Sequence, residues 1–143
     1  MATKFPSLEW FQQVQKLVNE DPNFKKLGTA DATVGIKISD REEKYILTFE
    51  AFEVVDVKEA KQADLEAADF YLELPYDSWK EMLTNIRANG HADLHHTLNT
   101  IDLELPEGFA RSKDEYRRDL FYRFNQTFQD FFNKSAELDT QFA

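Results

Sequence analysis

Three histidines and an aspartate crowd one short stretch: His91, Asp93, His95 and His96. Imidazole is a common metal ligand and the side chain that titrates near neutral pH. His91 and His95 stand four apart, a spacing two ligands can share on a helix but not on a strand. Gly90 argues against a helix here, and no further carboxylate follows at a diagnostic spacing. We therefore expect no metal, and take His96 as a lone pocket histidine able to donate to a carbonyl or carboxylate of a ligand. A second candidate lies in the C-terminal part. Arg117, Phe121, Asn125, Phe128 and Phe132 fall on one helical stripe, and Tyr116, Leu120, Phe124, Thr127 and Phe131 on the next. An ordinary core helix would leave Arg117 reaching out to water and Asn125 bonded to backbone. A pocket wall would use the same two polar groups to orient an amphipathic ligand among aromatic rings. A third option packs the apolar face on a second copy or a partner protein.

Other chemistries lack their residues. There is no cysteine, so thiol nucleophiles, disulfides and thiolate zinc sites are excluded, and a reducing, cytoplasmic setting is compatible. No G-x-S-x-G elbow, dinucleotide fingerprint or P-loop occurs, and no cofactor is expected. The net charge of −10 repels phosphate backbones, which argues against nonspecific nucleic-acid binding. No apolar run approaches the roughly 20 residues of a membrane span, and the start, MATKFPSLEW, lacks the apolar core of a secretory signal. Thirteen of 143 residues are Phe, so the rings must either fill a core or line a pocket. The eight acids and two lysines between Glu53 and Asp77 suit a solvated face. The five basic residues from Arg111 to Arg123 suit helical ion pairs, with an anionic headgroup near Arg117 or Arg118 as the sharper alternative.

The elements that must position these residues read as one domain over residues 1–143. Ser7 is set to cap a helix carrying Leu8, Phe11, Val14 or Gln15, and Leu17/Val18, and Pro22 and Gly28 punctuate its end and the next turn. A helical turn over 23–27 would bring Phe24 and Leu27 onto the core. Val34, Ile36 and Ile38 alternate with polar residues, as do Tyr45, Leu47 and Phe49 in a strand reaching Phe52, which predicts a hairpin. Val54 to Val57 continue extended, and 69–74 form another strand. Asp77 can cap a helix to Asn89, with Trp79, Met82, Leu83 and Ile86 as its stripe and Gly90 as its end. The alternation from Thr97 to Leu105 predicts an extended segment. Pro106 and Gly108 mark a loop, and Ser112 with Glu115 forms a capping-box pattern that opens a helix running to about Leu138, roughly 35–40 Å long. The fold class is α+β, a mostly antiparallel sheet of about five strands covered on one face by helices, with a long C-terminal helix.

The phrase from Ala68 to Leu83, ADFYLELPYDSWKEML, resembles the sterol carrier protein 2 (SCP2-like) family. That family has an Ala-Asp pair, an alternating strand, a short turn and a helix opening with Asp-x-Trp. The resemblance covers roughly residues 5–90, and the sequence departs from the family's pattern after Gly90. It implies a five-stranded sheet with helices over an apolar tunnel that holds lipids without metal or cofactor. The expected lining is Phe49, Phe52, Trp79, Leu83, His96, Arg117, Phe121, Phe124, Asn125 and Phe128. A carrier of a hydrophobic or amphipathic small molecule is the reading put first. The alternatives are a non-catalytic accessory subunit docking on an enzyme through its aromatic C-terminal helix, and a small cofactor-independent enzyme with a histidine acid/base. A homo-oligomer or a partner enzyme stays open.

Overall fold

The structure, a computed structural model, describes residues 2–27, 29–106 and 108–143. In chain order the strands are β1 (Thr3–Phe5), β2 (Ala32–Ile38), β3 (Lys44–Glu50), β4 (Glu53–Glu59), β5 (Phe70–Leu74), β6 (Ala110–Arg111) and β7 (Thr140–Phe142). The helices are α1 (Leu8–Asn19), α2 (Pro22–Lys25), α3 (Gln62–Ala67), α4 (Tyr76–Asn89), α5 (Leu98–Glu104), α6 (Glu115–Arg123) and α7 (Asn125–Asn133), followed by a 3-10 turn at Lys134–Glu137. One sheet has the order β4-β3-β2-β5-β6, and β1 pairs in parallel with β7 to clasp the two ends of the chain. Within the large sheet only β2 and β5 run parallel. The α+β class and its five-stranded, mostly antiparallel sheet are thus as expected.

Period-two patterning decides the sheet's two faces. Val34, Ile36, Ile38, Tyr45, Leu47 and Phe49 join the main core, together with Phe11 and Val14 of α1, Trp79 and Leu83 of α4, and Phe128, Phe131 and Phe132 of α7. Ile46 faces the other way, into a small cluster with Leu65 and Ala68 beneath α3. Gly35 of β2 allows that second contact. A Cβ there would lie 2.5 Å from Leu65 Cδ2 and 2.6 Å from Tyr71 Cβ, closer than carbon atoms pack.

Capping explains most boundaries. The Ser7 hydroxyl accepts from Trp10 N–H, and Gly90 ends α4 in the left-handed region at φ 82°. Five local expectations need correction. The helix expected to start with a cap at Asp77 starts at Tyr76, because Asp40 Oδ1 accepts its N–H from across the chain at 2.8 Å. Leu27 is 38% exposed rather than in the core, while Phe24 is buried; Gly28 lies outside the described residues. The strand expected to reach Phe52 stops at Glu50, and Ala51 turns it with φ 54°. Residues 98–104 are helical, not extended: Thr97 caps α5 and Gln129 Oε1 accepts Leu98 N–H at 2.6 Å. Leu98, Ile101 and Leu105 also recur at 3–4 residue spacing, so the same letters fit both periods. The Ser112 capping box does not form. Asp114 caps α6, and the Ser112 hydroxyl instead donates to Asp69 C=O at 2.7 Å.

The C-terminal helix is present in two segments, with Phe124 at φ −114° and ψ 21° between them. An unbroken helix would have held Arg117 and Asn125 in the same stripe as Phe121, Phe128 and Phe132. The break lets α7 turn Phe128, Phe131 and Phe132 into the core as one unit.

Candidate functional site

The expected lining residues do not gather at one place. Phe49, Trp79, Leu83, Phe121 and Phe128 are buried in the main core. Their rings meet edge to face: Phe49 and Phe128 at 5.1 Å between centroids, Phe70 and Phe128 at 5.4 Å, and Phe70 and Phe121 at 5.8 Å. Trp79 lies 5.6 Å from Phe132, and its indole N–H donates to Lys37 C=O at 3.2 Å. Such distances are those of filled aromatic packing. Phe124 packs half-buried on the edge of this core, and Asn125 beside it is half-buried.

Phe52 is elsewhere and open to solvent, 47% exposed at the tip of the β3–β4 turn. With Ala51 and Val55 it floors a hollow of about 580 Å³, flanked by Lys25 and Lys26 from the end of α2 and by Glu50 and Glu53. Asp31 Oδ1 accepts Ala51 N–H at 2.8 Å, and Ala30 N–H donates to Ala51 C=O at 3.0 Å. These two bonds hold the turn in its left-handed kink and keep Phe52 facing out. Lys25 reaches Glu53 at 3.3 Å, whereas Lys26 makes no ion pair among the described residues. The floor is therefore apolar and the rim carries two lysines and two glutamates, of which Lys26 is the cation outside an ion pair, an arrangement that suits an amphipath with a polar, hydrogen-bond-accepting end.

The histidines do not converge. His91 Nδ1 lies against Ala92 C=O at 3.0 Å, and among the described residues no group of three or more His, Asp or Glu could hold a metal ion. His96 is half-buried and donates from Nδ1 to Asp93 Oδ1 at 2.6 Å. Asp93 Oδ2 also accepts from Asn85, whose own Oδ1 accepts Asp93 N–H. The His96 hydrogen bond, joined by those from Asn85 and His95 N–H, holds the Asp93 carboxyl down to about 2 against the cost of desolvation. His96 with Lys80, Thr84 and Asn85 borders a hollow of about 440 Å³ along α4, apart from the aromatic core. Arg117 is engaged: its Nε donates to Asp69 Oδ1 at 3.0 Å and its Nη2 to Ala67 C=O at 2.8 Å.

Sequence reasoning missed Lys25, Lys26, Ala51 and Val55. A usable signal existed: extended residues resume at Val54 directly after a strand, so a turn must fall near 50–53, and a Phe in such a turn is an exposed ring.

No family model and no curated protein matches the chain. Two solved structures share its architecture. A crystal structure of sterol carrier protein 2 superposes with TM-score 0.66 at 14% identity, over 91% of this chain and 95% of its own. A solution structure of a conserved hypothetical protein from Thermus thermophilus, described there as a candidate sterol carrier protein, gives TM-score 0.62 at 14% identity over 94% and 90%. The likeness extends well past Gly90, where the sequence had ceased to resemble the family. This chain has the fold of sterol carrier protein 2.

Proposed function

We propose that the protein binds and carries a hydrophobic or amphipathic, lipid-like small molecule. Its apolar part would rest on Ala51, Phe52 and Val55, and its polar end would lie by Lys26. The observation that supports this most is the outward-held Phe52 in an apolar hollow of about 580 Å³, on a fold shared with a sterol carrier. That volume falls in the usual range for small-molecule sites. Covering about 200–300 Å² of apolar ligand surface contributes roughly 5–7 kcal/mol before association costs, at about 25 cal/mol per Å².

Displacement titrations with a fluorescent fatty acid and a fluorescent sterol test the reading. Phe52→Ser should weaken binding about tenfold or more and leave the fold intact, because the ring is half in water already. Unchanged affinity in Phe52→Ser, or no binding of either probe, would refute it. Loss of affinity in Phe128→Ala and Asn125→Leu alone would instead move the ligand to the inner rings: Phe49, Phe121 and Phe124 with Trp79 and Leu83.

A further inference from the structure

The large sheet ends on one side at β4, and among the described residues the hydrogen bonds from α1 to that edge fall at Val54. Asn19 Oδ1 accepts Val54 N–H at 2.9 Å, and Gln15 and Asn19 amides donate to Val54 C=O at 2.8 and 2.9 Å. Further along, the phase of the ladder decides what the edge offers. Ala60 N–H donates to Lys44 C=O at 2.9 Å. In an antiparallel pair, bonded and non-bonded residue pairs alternate. Given the register Ile46 with Lys58 and Thr48 with Asp56, the backbones of Asp56 and Lys58 face β3. Those of Val57 and Glu59 face outward.

We propose that this edge pairs antiparallel with β4 of a second copy of the chain, centred on Val57. Registers that set outward-facing backbone groups against each other centre on Asp56, Val57, Lys58 or Glu59, and the last opposes two glutamates. Centring on Asp56 opposes that aspartate to its own copy, and centring on Lys58 opposes two lysines. Centring on Val57 instead places Asp56 opposite Lys58 of the partner subunit, and Lys58 opposite Asp56 of the partner subunit. Both side chains are exposed, and neither makes an ion pair or hydrogen bond within the chain among the described residues. Charges on an edge strand ordinarily block indiscriminate pairing. Here their alternation disfavours the self-registers that oppose like charges and favours the one centred on Val57. The pairing continues the five-stranded sheet across the dimer axis and does not depend on the ligand reading.

Sedimentation and native mass spectrometry of the whole chain test it. The wild type should dimerise. Asp56→Lys and Lys58→Asp should each weaken association at least about tenfold, since directly opposed like charges replace opposite ones at two symmetric positions. The double variant D56K/K58D should regain the dimer, and a mixture of the two single variants should form the heterodimer. Circular dichroism checks that each variant folds. A wild type that stays monomeric at its highest soluble concentration, or single variants that associate like the wild type, would overturn the proposal.

Discussion

Replacing Phe128 by alanine measures how far the aromatic core is packed rather than hollow. The ring is 1% exposed and lies edge-on to Phe49 at 5.1 Å and to Phe70 at 5.4 Å. Removing a buried phenyl group costs about 3–5 kcal/mol, part transfer and part residual cavity. The two lost ring pairs, at about 0.5–1.5 kcal/mol each beyond their area, place the expected loss in the upper half of that range. For a chain this size the melting temperature should fall by roughly 10–15 °C. Urea titration read by far-ultraviolet circular dichroism and by tryptophan fluorescence is the assay. Trp10 and Trp79 are both buried beside Phe132, at 6.4 and 5.6 Å, so their emission follows loss of this core. The midpoint should drop with the slope unchanged. A loss under about 1 kcal/mol, as expected instead for the exposed Phe52, would show that Phe128 borders empty space rather than packed rings.

Two further outcomes are expected. Gly35→Ala forces a methyl against Leu65 and Tyr71 and should cost about 1–3 kcal/mol in the same titration as α3 is pushed off the sheet; a neutral result would show that α3 rides freely. Asp93 has its folded pKa lowered to about 2 from an ordinary 3.8, so its stabilising contribution is complete above the unfolded value and disappears as pH falls from about 4 towards 2. Carboxyl NMR titration of His96→Ala should find the Asp93 pKa raised, and an unshifted value would assign the effect to Asn85 and backbone donors.

The sheet was legible because its faces obey a strict period: one-residue alternation in 34–38 and 45–49 leaves a single arrangement that buries Ile36, Leu47 and Phe49 together. Helix α1 was legible from its cap and stripe. Residues 97–105 were not, because Leu98, Ile101 and Leu105 satisfy both periods and the choice falls to Gln129, which is 31 residues away and accepts Leu98 N–H. The break at Phe124 was hidden for a similar reason. Nothing local forbids a continuous helix, and the two segments separate only because α7 has its own apolar face to seat. The hollow at Phe52 depends on a left-handed Ala51 and on α2 lying beside the turn, and neither follows from the local letters. Of the expected lining, Phe49, Trp79, Leu83, Phe121 and Phe128 meet in the core, but spacing cannot distinguish a ring that faces a ligand from one that faces another ring.

Asp69 shows where the chain's most recognisable phrase acts. It lies one residue before β5, and it extends the parallel β2–β5 ladder: its N–H donates to Thr33 C=O at 2.9 Å while its Oδ2 accepts Thr33 N–H at 2.7 Å. Its Oδ1 takes Arg117 Nε, and its own C=O takes the Ser112 hydroxyl. One aspartate thus closes the crossover and fastens the start of α6 to the sheet. A short carboxylate at this position is therefore explained by architecture, and so is Arg117, whose fork is directed at Asp69 and Ala67 rather than at open solvent. The lysine outside an ion pair that lies beside an apolar floor is instead Lys26, where α2 ends beside the Phe52 hollow. The residues of the phrase from Ala68 to Leu83 build the fold, and the residues of the proposed ligand hollow lie outside that phrase, in a turn and a short helix.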